Sequence, residues 1–146
     1  MTTNNKVIII PCSGIGKAYG TVGREAAYMV VEELRPGVTD TVCLSLLVMG
    51  EEEARRRVQE NPCITIDGCP LACAQKNVEL AGGKQAVNLR VIDTYKEHRD
   101  LKPQAVTLID ENGRQLARFL AQQVAAEVDR LTAVGADSVV PNEEVR

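Results

Sequence analysis

The period of the hydrophobic positions changes several times along the chain, and each change marks an element. Residues 6–11 form a short β-branched run that ends in a glycine-containing loop, the pattern of a buried strand delivering Cys12 to its carboxyl end. From Tyr19 the positions Val22, Ala26, Met29, Val30 and Leu34 take helical spacing, and Pro36-Gly37 stops it. Residues 41–48 read as a second strand. Residues 51–60 read as a short helix whose Glu51/Arg55, Glu52/Arg56 and Glu53/Arg57 pairs belong to a solvated face. Asn61-Pro62 breaks that helix, and residues 63–67 form a third strand. Pro70 begins a helix that Gly82-Gly83 ends, and residues 87–93 supply a fourth strand. Residues 94–104 are polar, and over residues 114–131 Leu116, Leu120, Val124, Val128 and Leu131 share one helical face. Residues 106–109 fit either a hairpin arm or the start of that helix.

Strands alternating with helices imply an α/β fold: a three-layer arrangement with a mostly parallel sheet of about four strands and helices on both faces. The pattern places one domain over residues 1–134 and a loosely ordered polar tail over residues 135–146. In such sheets ligands bind beyond the carboxyl ends of the strands.

Composition narrows the function. Of 146 residues, 45% are hydrophobic and 25% charged, as in ordinary globular proteins, so fibrous and disordered classes lose support. Seventeen Lys+Arg against twenty Asp+Glu leave a net charge of -3, which gives no footprint for nucleic acid. Tyr19, Tyr28, Tyr95 and Phe119 are too few to stack bases. The apolar run after the polar N-terminus is far shorter than a membrane span or signal core, so a soluble cytoplasmic protein with no membrane partner is expected. Five cysteines, an odd number without an export signal, disfavour a disulfide framework and favour metal or redox chemistry.

With parallel strands, Cys12 follows the first strand and Cys69 and Cys73 follow the third, so all three reach one edge of the sheet. Cys43 lies either inside the second strand or, if the chain leaves the sheet by Ser45, near that same edge. Cys63 begins the third strand, about 13 Å from the other end at roughly 3.3 Å per residue, and reads as a buried spare. A four-thiolate site of Cys12, Cys43, Cys69 and Cys73 suits zinc, whose bonds of about 2.3 Å need sulfurs only about 3.8 Å apart. Cys69 and Cys73 are one helical turn apart, with Cys69 expected to cap the helix that Pro70 starts. Gly68 permits the tight turn, and Asp67 is placed to accept backbone N–H groups there or to support a ligand.

The loop from Cys12 to Gly20 carries Ser13, Gly14 and Lys17 between a strand and a helix, where amides and a lysine could hold an anion. It matches neither the phosphate-loop spacing nor the dinucleotide fingerprint, and reads as a tight connection. Arg24, early in the next helix, adds a positive charge nearby. His98, among Lys96, Glu97, Arg99 and Asp100, reads as a solvated surface histidine.

Pro11-Cys12-Ser13-Gly14, Cys43-Leu44 and Ile66-Asp67-Gly68-Cys69-Pro70 with Cys73 resemble the DGC-domain family, named for its Asp-Gly-Cys motif, from about Val7 to about Asp93. The resemblance implies zinc held by Cys12, Cys43, Cys69 and Cys73, and supplies no named activity. Two other readings of the same residues stay open. One is a thiol-based redox or sulfur-transfer enzyme using Cys69 or Cys12, with Cys73 resolving it; the other is an iron–sulfur protein. The partner is a small molecule or a protein, and the apolar stripe of residues 114–131 fits packing on its own sheet or across a homodimer interface.

Overall fold

The computed structural model describes residues 6–139. In chain order they form β1 (Val7–Pro11), α1 (Ala18–Met29) continued by a π-helical turn (Val30–Leu34), β2 (Thr39–Thr41), α2 (Leu44–Val48), α3 (Glu52–Glu60) and β3 (Pro62–Asp67). Then follow α4 (Cys73–Leu80), β4 (Lys84–Arg90), α5 (Val91–Glu97) and α6 (Glu111–Val139). The four strands make one sheet in the order β2-β1-β3-β4, and every pairing is parallel.

The two-residue period of β1 sorts the core into two layers. Val7 and Ile9 face α1, α5 and α6, packing with Val22, Val91, Leu116, Leu120 and Val124. Ile8 and Ile10 face the other way, onto α2, α3 and α4, with Leu47, Val58 and Val78. The expected three-layer α/β arrangement is what the chain adopts. The stripe of α6 is covered within the chain by α1, its π-helical continuation and α5. No helix among the described residues is long and apolar enough to cross a membrane.

Several element boundaries differ from the sequence expectation. Residues 41–48 are not one strand: β2 is only three residues long, and Leu44–Val48 is a helix that buries Leu44 and Leu47, three positions apart. The fourth strand runs three residues earlier than residues 87–93. As the sheet's edge it has half-exposed polar positions that carry little hydrophobic signal, and Val91 already belongs to α5. The helix expected from Pro70 starts at Cys73, after an Ala72 held at φ 56. Residues 106–109 are neither hairpin nor helix; the Val106 carbonyl accepts from Thr21 Oγ1 at 2.9 Å. The final helix starts at Glu111, where Asp110 accepts from the Gly113 amide at 2.8 Å, and it runs through residue 134 to Val139. The remainder of the expected polar tail and the polar N-terminal residues 1–5 lie outside the described residues.

In this strand order the chain leaves β1 for β2 on one side and returns to β3 on the other, so the connections diverge between β1 and β3. The crevice beyond the carboxyl ends of such a strand pair is where α/β sheets hold ligands.

Candidate metal centre

Register sets the site. Pro11 pairs with Ile66, and the Cys12 amide donates to the Ile66 carbonyl at 2.9 Å, so Cys12 enters the crevice level with the end of β3. Its Sγ accepts the Gly68 N–H at 3.3 Å. Three glycines allow this approach. A Cβ on Gly68 would stand 2.8 Å from the Gly20 nitrogen, and one on Gly14 would stand 2.4 Å from Gly20 Cα, so the two loops and the first turn of α1 touch backbone to backbone. Gly20 was not singled out by sequence reasoning. Its signal is a glycine in the first turn of a helix, costly there unless something must come close.

Asp67 is 1% exposed and accepts three hydrogen bonds. Its oxygens accept the amides of Ala74 at 2.8 Å and Gln75 at 3.2 Å, and Asn88 Nδ2 donates to it at 3.0 Å. Asn88 also donates to Thr65 Oγ1, which donates in turn to Gln85 Oε1. Asp67 therefore satisfies the first amides of α4 from across the strand end, a cap that Ala72 cannot supply. This overturns the expectation that Cys69 caps the helix. Cys69 lies in the turn before it, its carbonyl accepting from the Ala72 amide at 3.2 Å, and Cys73 is the first helical residue. The two thiols consequently do not share one helical face. Asn88 on β4 and Thr65 on β3 were missed as members of this network.

The thiols differ sharply in environment. Cys12 is buried, which pushes its thiol up; the Gly68 amide pulls it back, and the Asp67, Cys69 and Cys73 charges push it further up. Cys69 is half-buried and Cys73 exposed. Cys43 is exposed and precedes α2, at the carboxyl side of β2 instead of inside a strand. The Leu46 amide and then the Ser45 amide at the start of α2 lower its thiol. Cys12 and Cys43 line a common pocket of about 270 Å³, together with Ser13, Arg24, Tyr28 and Ser45. Arg24 donates from NH1 to the Ser13 carbonyl at 2.7 Å.

Cys63 is apart from all of these. It pairs with Ile8 at the amino end of β3, is fully buried, and burial pushes its thiol up to about 12. Lys17 is exposed at the N-cap of α1, and its side chain makes no capping hydrogen bond. His98 is not a solvated loop residue: it closes α5, half-buried, and stacks on Phe119 with ring centroids 3.9 Å apart.

Among the described residues no three Cys, His, Asp or Glu side chains converge as a ready-made metal cluster. The donors fit a soft divalent ion in kind, and the ends of β1 and β3 bring Cys12 and the turn that carries Cys69 to the same edge of the sheet.

Residues 8–113 match the DGC domain. The chain belongs to the DGC domain family. Neither the curated proteins nor the solved structures give a match to it. The DGC match runs from β1 into the first turn of α6, so it includes all of the sheet but Val7 and all five cysteines. In this DGC domain the Asp-Gly-Cys residues have three separate tasks: Asp67 caps α4, Gly68 lets β3 meet α1, and Cys69 presents a thiol in the turn.

Proposed function

We propose that this DGC-family chain binds zinc through Cys12, Cys69 and Cys73 in the crevice beyond β1 and β3, with Cys43 as the fourth donor. The observation that carries this reading is that Cys12 at the end of β1 and the Asp67–Cys73 segment at the end of β3 come to one crevice, where the Cys12 Sγ accepts the Gly68 N–H at 3.3 Å. Thiolates at such a point repel each other until a cation neutralises them, and zinc is the common ion for sulfur donors. What the chain's own residues do is orient: Asp67 fixes the start of α4 and with it Cys73, and the Gly68 amide fixes Cys12. Bound zinc would supply either a closed structural centre or, with one position left open, a Lewis acid. Cys63 is left out because it is fully buried at the far end of β3.

A zinc titration of metal-free protein against a chromogenic chelator tests this. One zinc per chain is expected, with affinity lowered at least about tenfold by C12S, C69S or C73S and unchanged by C63S. No binding, or an equal loss from C63S, overturns it. A second reading, thiol-based chemistry, is favoured by one feature, the exposed Cys43 on a pocket, and moves the reactive thiol there from Cys69 or Cys12. A metal-free native protein in which Cys43 alone reacts rapidly would support that reading over zinc.

A further inference from the structure

The pocket shared by Cys12 and Cys43 has features that metal ligation leaves unused. It opens between the ends of β1 and β2, with α1 contributing Arg24 and Tyr28 and α2 contributing Leu44 and Ser45. Pro11, Val42, Leu44 and the Tyr28 ring make most of its wall apolar, and a single cation stands in it. Arg24 is half-buried, its NH1 is tethered to the Ser13 carbonyl at 2.7 Å, and no carboxylate among the described residues lies within ion-pair distance of it. In a chain of net charge -3 this leaves an oriented guanidinium fork, with donors to spare, facing a concave apolar surface.

We infer that this pocket binds a small organic monocarboxylate, its acid group on the Arg24 guanidinium and its apolar body over Val42, Leu44 and the Cys43 side chain. One cation balances one charge, so a carboxylate is favoured over a phosphate dianion, for which the lining offers no second cation. A volume of about 270 Å³ limits the body to a small molecule. The assignment does not depend on the zinc reading, because Arg24, Val42 and Leu44 are not among the proposed zinc ligands.

Affinity alkylation of reduced, chelator-treated protein tests it. Iodoacetate carries a carboxylate and iodoacetamide is its neutral counterpart. In both, the thiolate Sγ attacks the methylene carbon, a C–S bond forms, and the C–I pair leaves with iodide. The ratio of the two rates, read at each cysteine by mass spectrometry, cancels the intrinsic reactivity of the thiol. Exposed Cys73, which does not line this pocket, serves as the internal reference. The iodoacetate-to-iodoacetamide ratio at Cys43 is expected to exceed that at Cys73 by about tenfold at low ionic strength. Butyrate should slow the iodoacetate reaction at Cys43, and butyramide should not. R24M, checked for folding by thermal melting, should bring the Cys43 ratio down to that of Cys73. Equal ratios in the wild-type protein, protection by butyramide as good as by butyrate, or protection by inorganic phosphate in place of butyrate each overturn the proposal. The butyrate and butyramide comparison on the unmodified chain decides the matter even where R24M does not fold. Because every arm is run without metal, a failed zinc titration leaves it standing.

Discussion

The two faces of the sheet are built from different materials. On one, α1, α5 and α6 cover Val7, Ile9, Ile64 and Ile66 with a layer of mostly aliphatic side chains that includes no cysteine. On the other, the shorter helices α2, α3 and α4 cover Ile8 and Ile10, and that layer includes Cys12 and Cys63. A network of buried Thr65 and Asp67 with half-buried Gln85 and Asn88 joins β3 to β4 and ties them to the start of α4. Burying such polar groups costs free energy unless each finds a partner, and here they do. The contrast separates stability from chemistry: one face holds the chain together, and the other spends its burial on placing thiols.

That separation can be broken on purpose. The largest effect is expected on the aliphatic face, where Leu120→Ala empties a fully buried site and should lower unfolding stability by about 2–5 kcal/mol in a denaturant titration. The zinc stoichiometry of its folded fraction should stay at wild-type, and a lost metal site would show that the two faces are not separable. Asp67→Ala should lower stability by about 1–3 kcal/mol by orphaning the first amides of α4. It should also weaken zinc binding about 10- to 100-fold by freeing Cys73. Stability loss with unchanged metal affinity would reduce Asp67 to a cap alone.

A third effect appears only in alkali. The Cys63 thiol has a native pKa of about 12 against an ordinary value of 9.0, so the folded state resists deprotonation. Its contribution is whole below pH 9, and it is lost as the unfolded chain ionises and the folded chain does not. Wild-type stability should fall relative to Cys63→Ala by up to about 1.4 kcal/mol per pH unit between pH 9 and about 12. Parallel curves for the two proteins across that window would mean that Cys63 is solvated or engaged elsewhere.

How much of this was legible follows from what each residue answers to. The alternation of β1 and the stripe of α6 are burial patterns, so Ile8, Ile9, Leu116 and Leu120 announced their places in the sequence. Cys12 and Cys69 were brought to one edge by the parallel-strand argument alone, and Cys63 was sent to the other. The failures were tertiary. Cys69 looked like a helix cap because a proline follows it, but Asp67 reaches those amides from the strand. Leu44–Val48 looked like a strand because five apolar-rich residues do not distinguish a two-residue period from a three-residue spacing. Gly20 and Asn88 act on residues distant in the chain, 68 and 67, and no local pattern announces such contacts. Arg24 was visible as a charge, and its pocket was not.

The central claim is that the thiols of the β1 and β3 ends ligate a metal together. X-ray absorption at the zinc edge, on protein loaded with one equivalent of zinc, counts those ligands directly. The account predicts a first shell dominated by three or four sulfurs at about 2.3 Å, reduced by one sulfur in C69S and unaltered in C63S. A shell of oxygen and nitrogen alone, or one that loses a sulfur in C63S, would contradict it.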